Sequence, residues 1–160
     1  MGKKKDFRPK KAAKTSRMYP TLHENVANSV LEYIGTIRFH HEDSDEDCTR
    51  RCNTFVRGEF KCYNPKCHGS FWTSGKVAIS IRRYLGHDYN AVVFGQRCKG
   101  CNQLGEFKLD EETYIDRVSY RLKKWAGVQM ELPPFTVRST PPHKTHLCEG
   151  CKRGICMKAY

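Results

Sequence analysis

Cys62-Tyr63-Asn64-Pro65-Lys66-Cys67 and Cys98-Lys99-Gly100-Cys101 are two short motifs in which a pair of cysteines flanks a turn. A third group, Cys148-Glu149-Gly150-Cys151 followed by Cys156, lies further along the chain. The chain has nine cysteines in 160 residues, an odd number, and its start has no secretory signal. We therefore expect a reducing compartment and metal-bound thiolates rather than disulfides.

The stretch between the first two motifs has the pattern of a β-hairpin. Apolar residues alternate with polar or small ones over residues 76–84, which predicts a half-buried strand. Residues 86–88 predict a turn, and residues 89–97 predict a second strand that runs back. Each strand would span about 30 Å at ~3.3 Å per residue, so that Cys98 ends level with the start of the hairpin.

Such a hairpin brings the first two cysteine motifs together. Four thiolates at about 2.3 Å from one ion form a closed tetrahedral zinc site, and zinc is redox-inert. Gly100 permits a tight turn in which backbone amides point at the sulfurs and stabilise them. We therefore predict one zinc ion with the ligands Cys62, Cys67, Cys98 and Cys101.

The third cysteine group supplies a second local set of ligands. His143 precedes Cys148, Cys151 and Cys156, and these four residues are the preferred second zinc site. His146 is the other candidate histidine, but a single residue separates it from Cys148, which makes simultaneous binding awkward. In an alternative, cross-braced arrangement, Cys148 and Cys151 share an ion with one of the earlier pairs. The sequence leaves the topology open, and we expect two zinc ions.

These sites argue against catalysis. Four protein ligands leave no open position on the metal for water or substrate. The sequence has no phosphate-binding loop, nucleophile elbow or His-Glu-x-x-His helix. Its Cys-x-x-Cys pairs resemble redox dithiols, but each lies near further metal ligands. We expect a protein that is not an enzyme and has no small-molecule substrate.

The region before the first motif divides into two parts. Residues 1–20 hold eight Lys or Arg against one Asp, which predicts a disordered basic tail. Residues 21–49 are predicted to form an N-terminal helix and an acidic loop. A capping box at residues 21–24 starts the helix, which ends at about Gly35 or Phe39.

We make three further predictions for this region. Tyr33 and Phe39 are expected to lie in the core. The acidic residues 42–47 lack the spacing of a calcium loop and are expected to be a solvated loop. Cys48 and Cys52 are expected to be free thiols, since they form no standard ligand set with the nearby histidines.

A second helix follows the ribbon. Residues 104–109 predict a short strand, and the acidic residues 110–112 predict a helix start, where they favour the positive end of the helix dipole. An apolar stripe runs along this helix to Trp125, and Gly127 is the predicted C-cap. Earlier in the chain, Gly58 is predicted to mark a β-bulge. Together these elements predict an α+β fold: a small zinc-ribbon-like antiparallel sheet with an N-terminal helix and a second helix, stabilised by two zinc sites.

The composition limits both the core and the environment of the chain. Mean hydropathy is low, at −0.72, so we expect modest apolar burial and a metal contribution to folding that replaces a larger core. No apolar run approaches the ~20 residues of a membrane helix, so we expect no membrane insertion. The expected location is the cytoplasm, the nucleus or both.

The charge pattern suggests a polyanionic partner. The net charge is +12, and residues 61–160 hold seventeen Lys or Arg against eight Asp or Glu. Our first hypothesis is binding of RNA or a ribonucleoprotein by basic residues that alternate with aromatic ones. The residues chosen for this role are Arg82, Arg83, Lys123 and Lys124. The alternative is a protein-interaction adaptor or trafficking chaperone without nucleic-acid binding.

A series of motifs occurs in this order along the chain: Gly58-Glu59-Phe60-Lys61-Cys62, Phe71-Trp72-Thr73-Ser74, Gln96-Arg97-Cys98, Tyr114-x-x-Arg117-Val118 and Pro142-His143. Together with the cysteine groups, this series resembles the 3CxxC-type zinc-finger family, which includes the receptor-transporting proteins and the zygote arrest proteins. The resemblance covers roughly residues 50–156 and assigns residues 50–160 to a 3CxxC-type zinc-binding domain. It implies zinc binding at the same eight cysteine and histidine positions named above. It implies RNA binding in the zygote arrest proteins and membrane-protein trafficking in the receptor-transporting proteins.

Overall fold

The computed structural model describes residues 14–67, 70–130 and 144–156. Within these residues the predicted α+β fold is confirmed: six strands form one sheet, and three α-helices accompany it. The strands are β1 (Ser16–Met18), β2 (Arg38–Phe39), β3 (Cys48–Lys61), β4 (Phe71–Tyr84), β5 (Asp88–Phe94) and β6 (Glu106–Leu109). The helices are α1 (His23–Ile34), α2 (Glu111–Trp125) and α3 (Glu149–Lys152).

The long antiparallel strands β3 and β4 form the centre of the sheet. The strand order is β1-β5-β4-β3-β6, and β2 pairs in parallel with β5. The predicted hairpin corresponds to β4 and β5, but β4 already begins at Phe71, because its first half pairs with the end of β3. The register shifts between Val56 and Gly58, where a bulge was predicted. A Cβ at Gly58 would lie 2.0 Å from a carbon of the Phe107 ring, so a side chain here would collide with β6.

Alternation along β4 places its side chains in two different clusters. Ile79 and Ile81 belong to the main apolar core, together with Val30 of α1 and other residues of both long helices. Ala78, which lies next to Ile79 in sequence, belongs to a second cluster that includes Cys148. Strand β4 is therefore buried on both faces. The resulting core is larger than the low hydropathy suggested, so the expectation that metal replaces the core is too strong.

Two predictions for the N-terminal segment were wrong. Ser16–Met18 form the edge strand β1 by pairing with β5, so disorder is the wrong prediction for this strand. Residues 1–13 lie outside the described residues. The capping box does not form: Pro20–Leu22 make a 3-10 turn, α1 begins at His23, and no side chain caps it. Leu22 is buried in the main core, and this packing sets how the chain enters the helix.

The ends of the two long helices mostly agree with the prediction from the sequence. α1 ends at Ile34, and Gly35 follows it with a φ of 77°, as predicted. Tyr33 is 56% exposed, so its placement in the core was wrong, whereas Phe39 is buried. In α2 the Asp110 carboxylate accepts a hydrogen bond from the Thr113 amide at 3.4 Å, which confirms the acidic start.

The acidic loop between β2 and β3 is tied to the sheet. The Arg82 guanidinium donates to the Asp43 carboxylate at 2.6 Å, and Asp45 pairs with Arg51. Most of the loop is exposed, but these carboxylates also balance a buried positive charge on β4. The prediction of a merely solvated loop was therefore incomplete.

Candidate metal centres and a basic groove

The first cysteine cluster assembles as predicted. Cys62 follows the end of β3, Cys67 ends the next turn, and Cys98 and Cys101 lie beyond β5. The Cys62 and Cys101 sulfurs are 3.5 Å apart, the Cys67 and Cys98 sulfurs are 3.8 Å apart, and all four lie within 4.8 Å of one another. Sulfurs placed tetrahedrally at ~2.3 Å from zinc are about 3.8 Å apart. The four thiols therefore fit one zinc ion.

Backbone turns set the position of each cysteine in this cluster. The Cys67 amide donates to the Asn64 carbonyl at 2.9 Å, and the Asn64 side chain accepts from the Lys66 amide at 3.1 Å. This Asx-type turn accommodates the four residues between Cys62 and Cys67. On the other side, the Gly100 amide donates to the Cys98 sulfur at 3.4 Å, as expected for a metal-binding turn.

The surroundings of the four thiols give them different pKa values. Burial raises the pKa of Cys98, but hydrogen bonds from the Ser70 hydroxyl and the Gly100 amide outweigh it and lower the pKa to about 6. The Asn64 amide lowers the pKa of Cys62, but burial and the neighbouring thiols raise it to about 12. Hydrogen bonds also lower the pKa of Cys101, so the cluster favours thiolates at Cys98 and Cys101, and a bound ion displaces the remaining protons.

The second cluster contains Cys148, Cys151 and Cys156, whose sulfurs lie within 4.8 Å of one another. The Cys148 and Cys156 sulfurs are 3.6 Å apart. The predicted fourth ligand, His143, lies outside the described residues. His146 is exposed and does not belong to the cluster. Three thiolates fit a tetrahedral zinc ion with one position left for a further ligand, which is the role predicted for His143.

The two clusters are separate, so the cross-braced alternative does not occur among the described cysteines. The remaining two, Cys48 and Cys52, lie in β3, and in the described part of the chain neither belongs to a group of potential metal ligands. This agrees with the expectation of free thiols. Burial is the main cause that raises the pKa of Cys52, so this thiol is poorly reactive.

An ion pair between the buried Glu149 and the partly exposed Arg97 joins the segments that carry the clusters. Arg97, next to Cys98, donates to the carboxylate of Glu149, next to Cys148, at 2.6 Å. Lys152 also lies 3.2 Å from this carboxylate. Burial raises the pKa of Glu149, but Arg97 and Lys152 have the larger combined effect, so the pKa of Glu149 lies below its ordinary value. The Arg97 amide donates to the Leu147 carbonyl at 2.7 Å, which adds a backbone link between the clusters.

The four basic residues predicted to bind nucleic acid have different surroundings. Arg82 is only 9% exposed, and its charge is balanced by Asp43 and Asp45, so the structure does not present it to a ligand. Its neighbouring aromatic residue, Tyr84, is buried as well.

The other three residues lie near the C-terminal end of α2. Arg83 lines a pocket of about 440 Å³ beside Tyr33 and Trp125. The Lys123 ammonium lies 4.3 Å from the centroid of the Tyr33 ring, which is a cation–π contact. Lys124 is exposed.

A larger groove, of about 850 Å³, was not predicted from the sequence. Two acidic side chains, Glu59 and Asp110, lie along it, and the exposed ring of Phe71 forms part of its wall. Its basic side chains are Arg57, Lys76, Arg97, Lys99, Lys108 and Lys144. They come from widely separated segments, so no sequence window contains the pattern. Lys99 belongs to the first cysteine cluster, and Lys144 precedes the second, so both metal centres help to place the groove.

Comparison with known proteins supports the metal assignment. A family model described as a zinc-binding domain, the 3CxxC zinc ribbon, matches residues 55–154. Curated protein sequences and solved structures give no match. Among the described residues, no helix has the length and apolar character needed to cross a membrane. Since the family match covers well over half of the sequence and both cysteine clusters suit zinc, the chain belongs to the 3CxxC zinc-ribbon family of zinc-binding domains.

Proposed function

We propose that this zinc-binding domain binds RNA, alone or within a ribonucleoprotein, through the basic groove. The observation that carries the proposal is the composition of that groove, in which six basic side chains face two acidic ones. A concave surface with an excess of positive charge concentrates the field and attracts a polyanion. RNA binding also agrees with what the resemblance to the zygote arrest proteins implies.

The lysines of the groove are available for phosphate, whereas Arg97 is paired with Glu149. Among the described residues, Lys76, Lys99, Lys108 and Lys144 take part in no ion pair. The cations near α2 are placed differently, since Lys123 is engaged with an aromatic ring. Arg83, Lys123 and Lys124 remain a second predicted surface, and the groove is the preferred one because its charges converge.

We propose a structural role for both zinc ions and no catalytic role for the domain. In the first site, the four sulfurs already complete a tetrahedron, which leaves no position for a substrate. The ions instead fix the turns that carry Lys99 and Lys144 to the groove. Thiolate sites of this kind need reducing surroundings, so we propose the cytoplasm or the nucleus as the location.

The test compares two double variants that remove equal charge from the two basic surfaces. Lys108→Gln/Lys144→Gln changes the groove, and Lys123→Gln/Lys124→Gln changes the end of α2. We expect the groove variant to weaken RNA binding and to reduce the slope of log K against log salt by about 0.7 for each phosphate that the variant no longer neutralises. Fluorescence anisotropy of a labelled RNA over a salt series measures both quantities.

The outcomes separate the alternatives. The variant at α2 is expected to bind like the wild type. If only the variant at α2 loses affinity, the groove is the wrong surface. If the wild type shows no saturable binding, or binding that does not change with salt, RNA binding itself is wrong.

A second candidate function is binding of a protein partner. It is favoured by large apolar side chains that lie exposed, at 53% for Leu31, 56% for Tyr33 and 66% for Leu85. The test is purification of the tagged protein with nuclease, alongside the variant Leu31→Ser/Tyr33→Ser/Leu85→Ser. A complex that survives nuclease and is lost in the variant supports an adaptor role, and a complex lost on nuclease treatment contradicts it.

A further inference from the structure

We propose that the groove binds an unpaired stretch of nucleotides, with one base stacked on the ring of Phe71. This inference rests on the proposed function and names the class of RNA that the site takes. Phe71 is the first residue of β4, its side chain is 60% exposed, and it lies on the wall of the groove. In the described part of the chain its ring contacts no other aromatic ring or cation.

Phe71 differs in this respect from the next aromatic residue. The Trp72 ring stacks on Phe60 with centroids 5.1 Å apart, and its indole nitrogen donates to the Gln96 side chain at 3.1 Å. Gly105 also approaches it so closely that a Cβ there would lie 2.7 Å from the indole. Trp72 is thus a packing residue with its polar group satisfied, and Phe71 is the ring left for a ligand.

Basic residues lie across the sheet from Phe71 and along the groove. Lys61 of β3 is the direct cross-strand partner of Phe71, and its ammonium lies 4.9 Å from the centroid of the half-exposed Tyr63 ring. Lys76 and Lys108 lie further along the groove. Exposed rings that alternate with cations along a groove are the arrangement that binds single strands, since bases stack on the rings and phosphates contact the cations.

A duplex does not offer the same contact. In a double helix the bases stack on one another, so a protein reaches their edges and the backbone but not their faces. Phe71 would then gain nothing from binding, and only the cations would contribute. The exposed ring therefore favours RNA whose bases are free.

Two polar side chains on the wall of the groove, Gln96 and Ser74, form hydrogen bonds within the protein. The Gln96 amide group donates to the Ser74 hydroxyl at 3.0 Å, and its carbonyl accepts from Trp72. These groups are already engaged within the protein, so they have little capacity left for a base. Stacking and charge then carry the binding, which is typical of single-strand recognition with low sequence dependence.

The experiment measures anisotropy of one labelled RNA of about 16 nucleotides, as a single strand and annealed to its complement. The proteins are the wild type, Phe71→Leu, Phe71→Tyr and, as a matched loss of an exposed ring outside the groove, Tyr33→Leu. We expect the wild type to prefer the single strand and Phe71→Leu to weaken single-strand binding by about 5- to 160-fold. Duplex binding and the salt slope should not change in this variant, and Phe71→Tyr and Tyr33→Leu should bind like the wild type.

Zinc content and circular dichroism of Phe71→Leu confirm that the variant is folded, as its exposed position leads us to expect. Duplex binding as tight as single-strand binding, or an unchanged affinity in folded Phe71→Leu, would overturn the inference and leave RNA binding in place. Wild-type protein that binds neither form overturns the proposed function itself. The two failures are therefore distinguishable.

Discussion

Cys98 is the ligand whose surroundings are most fully arranged for a negative sulfur. It is completely buried, and hydrogen bonds from Ser70 and Gly100 outweigh the effect of burial on its pKa. A buried thiolate with amide donors binds a cation strongly, and the loss of that cation leaves uncompensated polar groups. The individual thiol thus shows why the first cluster is a metal site and not a pair of packing cysteines.

The first prediction concerns this ligand. Cys98→Ser should reduce the zinc content from two ions per chain to one and lower the unfolding temperature, because three remaining thiols hold the ion much less tightly. Metal analysis of the purified protein measures the change. Cys48→Ser is the matched control, since Cys48 lies outside both clusters, and it should retain both ions. A Cys98→Ser protein with two bound ions would contradict the assignment.

The second prediction concerns pH. Burial lowers the pKa of His23 below its ordinary value of 6.5, and His41 adds to this effect. The His23 ring lies 2.9 Å from the Tyr89 hydroxyl. Because the unfolded chain takes up the proton more readily, the stability that neutral His23 contributes is present above pH 6.5 and is lost as the pH falls through the lowered pKa.

The measurement is the difference in free energy of unfolding between wild type and His23→Gln from pH 8 downwards. Zinc release affects both proteins alike, so the difference isolates the histidine. It should shrink as the pH falls below the ordinary imidazole value. A difference that is constant or grows at acid pH would show that His23 is not held neutral.

The third prediction concerns the close contact between two elements, α3 and β4. A Cβ at Gly150 would lie 2.4 Å from the Cβ of Ala78, so Gly150→Ala should push α3 away from the sheet. We expect a loss of about 1–3 kcal/mol, as for other overpacked sites, together with weaker zinc binding at the second cluster. Chemical denaturation and zinc competition measure the two effects.

A second substitution, Ala78→Gly, completes this test, because it removes the methyl group that the new Cβ at position 150 would contact. In the double variant Gly150→Ala/Ala78→Gly, part of the lost stability should return. Strictly additive effects would mean that the two residues do not contact each other.

The sequence predicted elements well where a local pattern determined them. The strand at residues 76–84 and the acidic start of α2 are properties of single segments, and both elements are confirmed. The prediction that this strand is half-buried was wrong, because Ala78 and Ser80 are buried on the face opposite Ile79. β1 escaped prediction because Ser16, Arg17 and Met18 have no strand pattern, and they become a strand only through the exposed edge of β5. The capping box failed because burial of Leu22 outweighed the side-chain cap.

At the scale of the whole molecule, the metal ions and the apolar core have different tasks. The core between the helices and the sheet is extensive, whereas the cysteine clusters lie in turns and short helical segments outside it. Zinc therefore fixes turns and short helical segments outside the main core, of which those at the second cluster also pack against Ala78 and Phe94. Residues next to both cysteine clusters line the groove.

The candidate sites show the same division between local and global information. The two cysteine clusters were predicted because ligand spacing is a local property of the chain. The groove was missed because Arg57, Lys76 and Lys144 meet only when the sheet and both clusters have formed. Arg82 was misplaced for a related reason, since its acidic partners are distant in sequence and charge alone does not reveal burial.

Native mass spectrometry of the zinc-loaded protein tests the central claim most directly, because it counts ions on the folded chain. We predict two zinc ions per chain, both released by a strong chelator, with loss of ordered structure around residues 62–67, 98–101 and 148–156. A chain that binds no zinc and keeps the same fold, or a fold that strong chelators leave unchanged, would contradict this account.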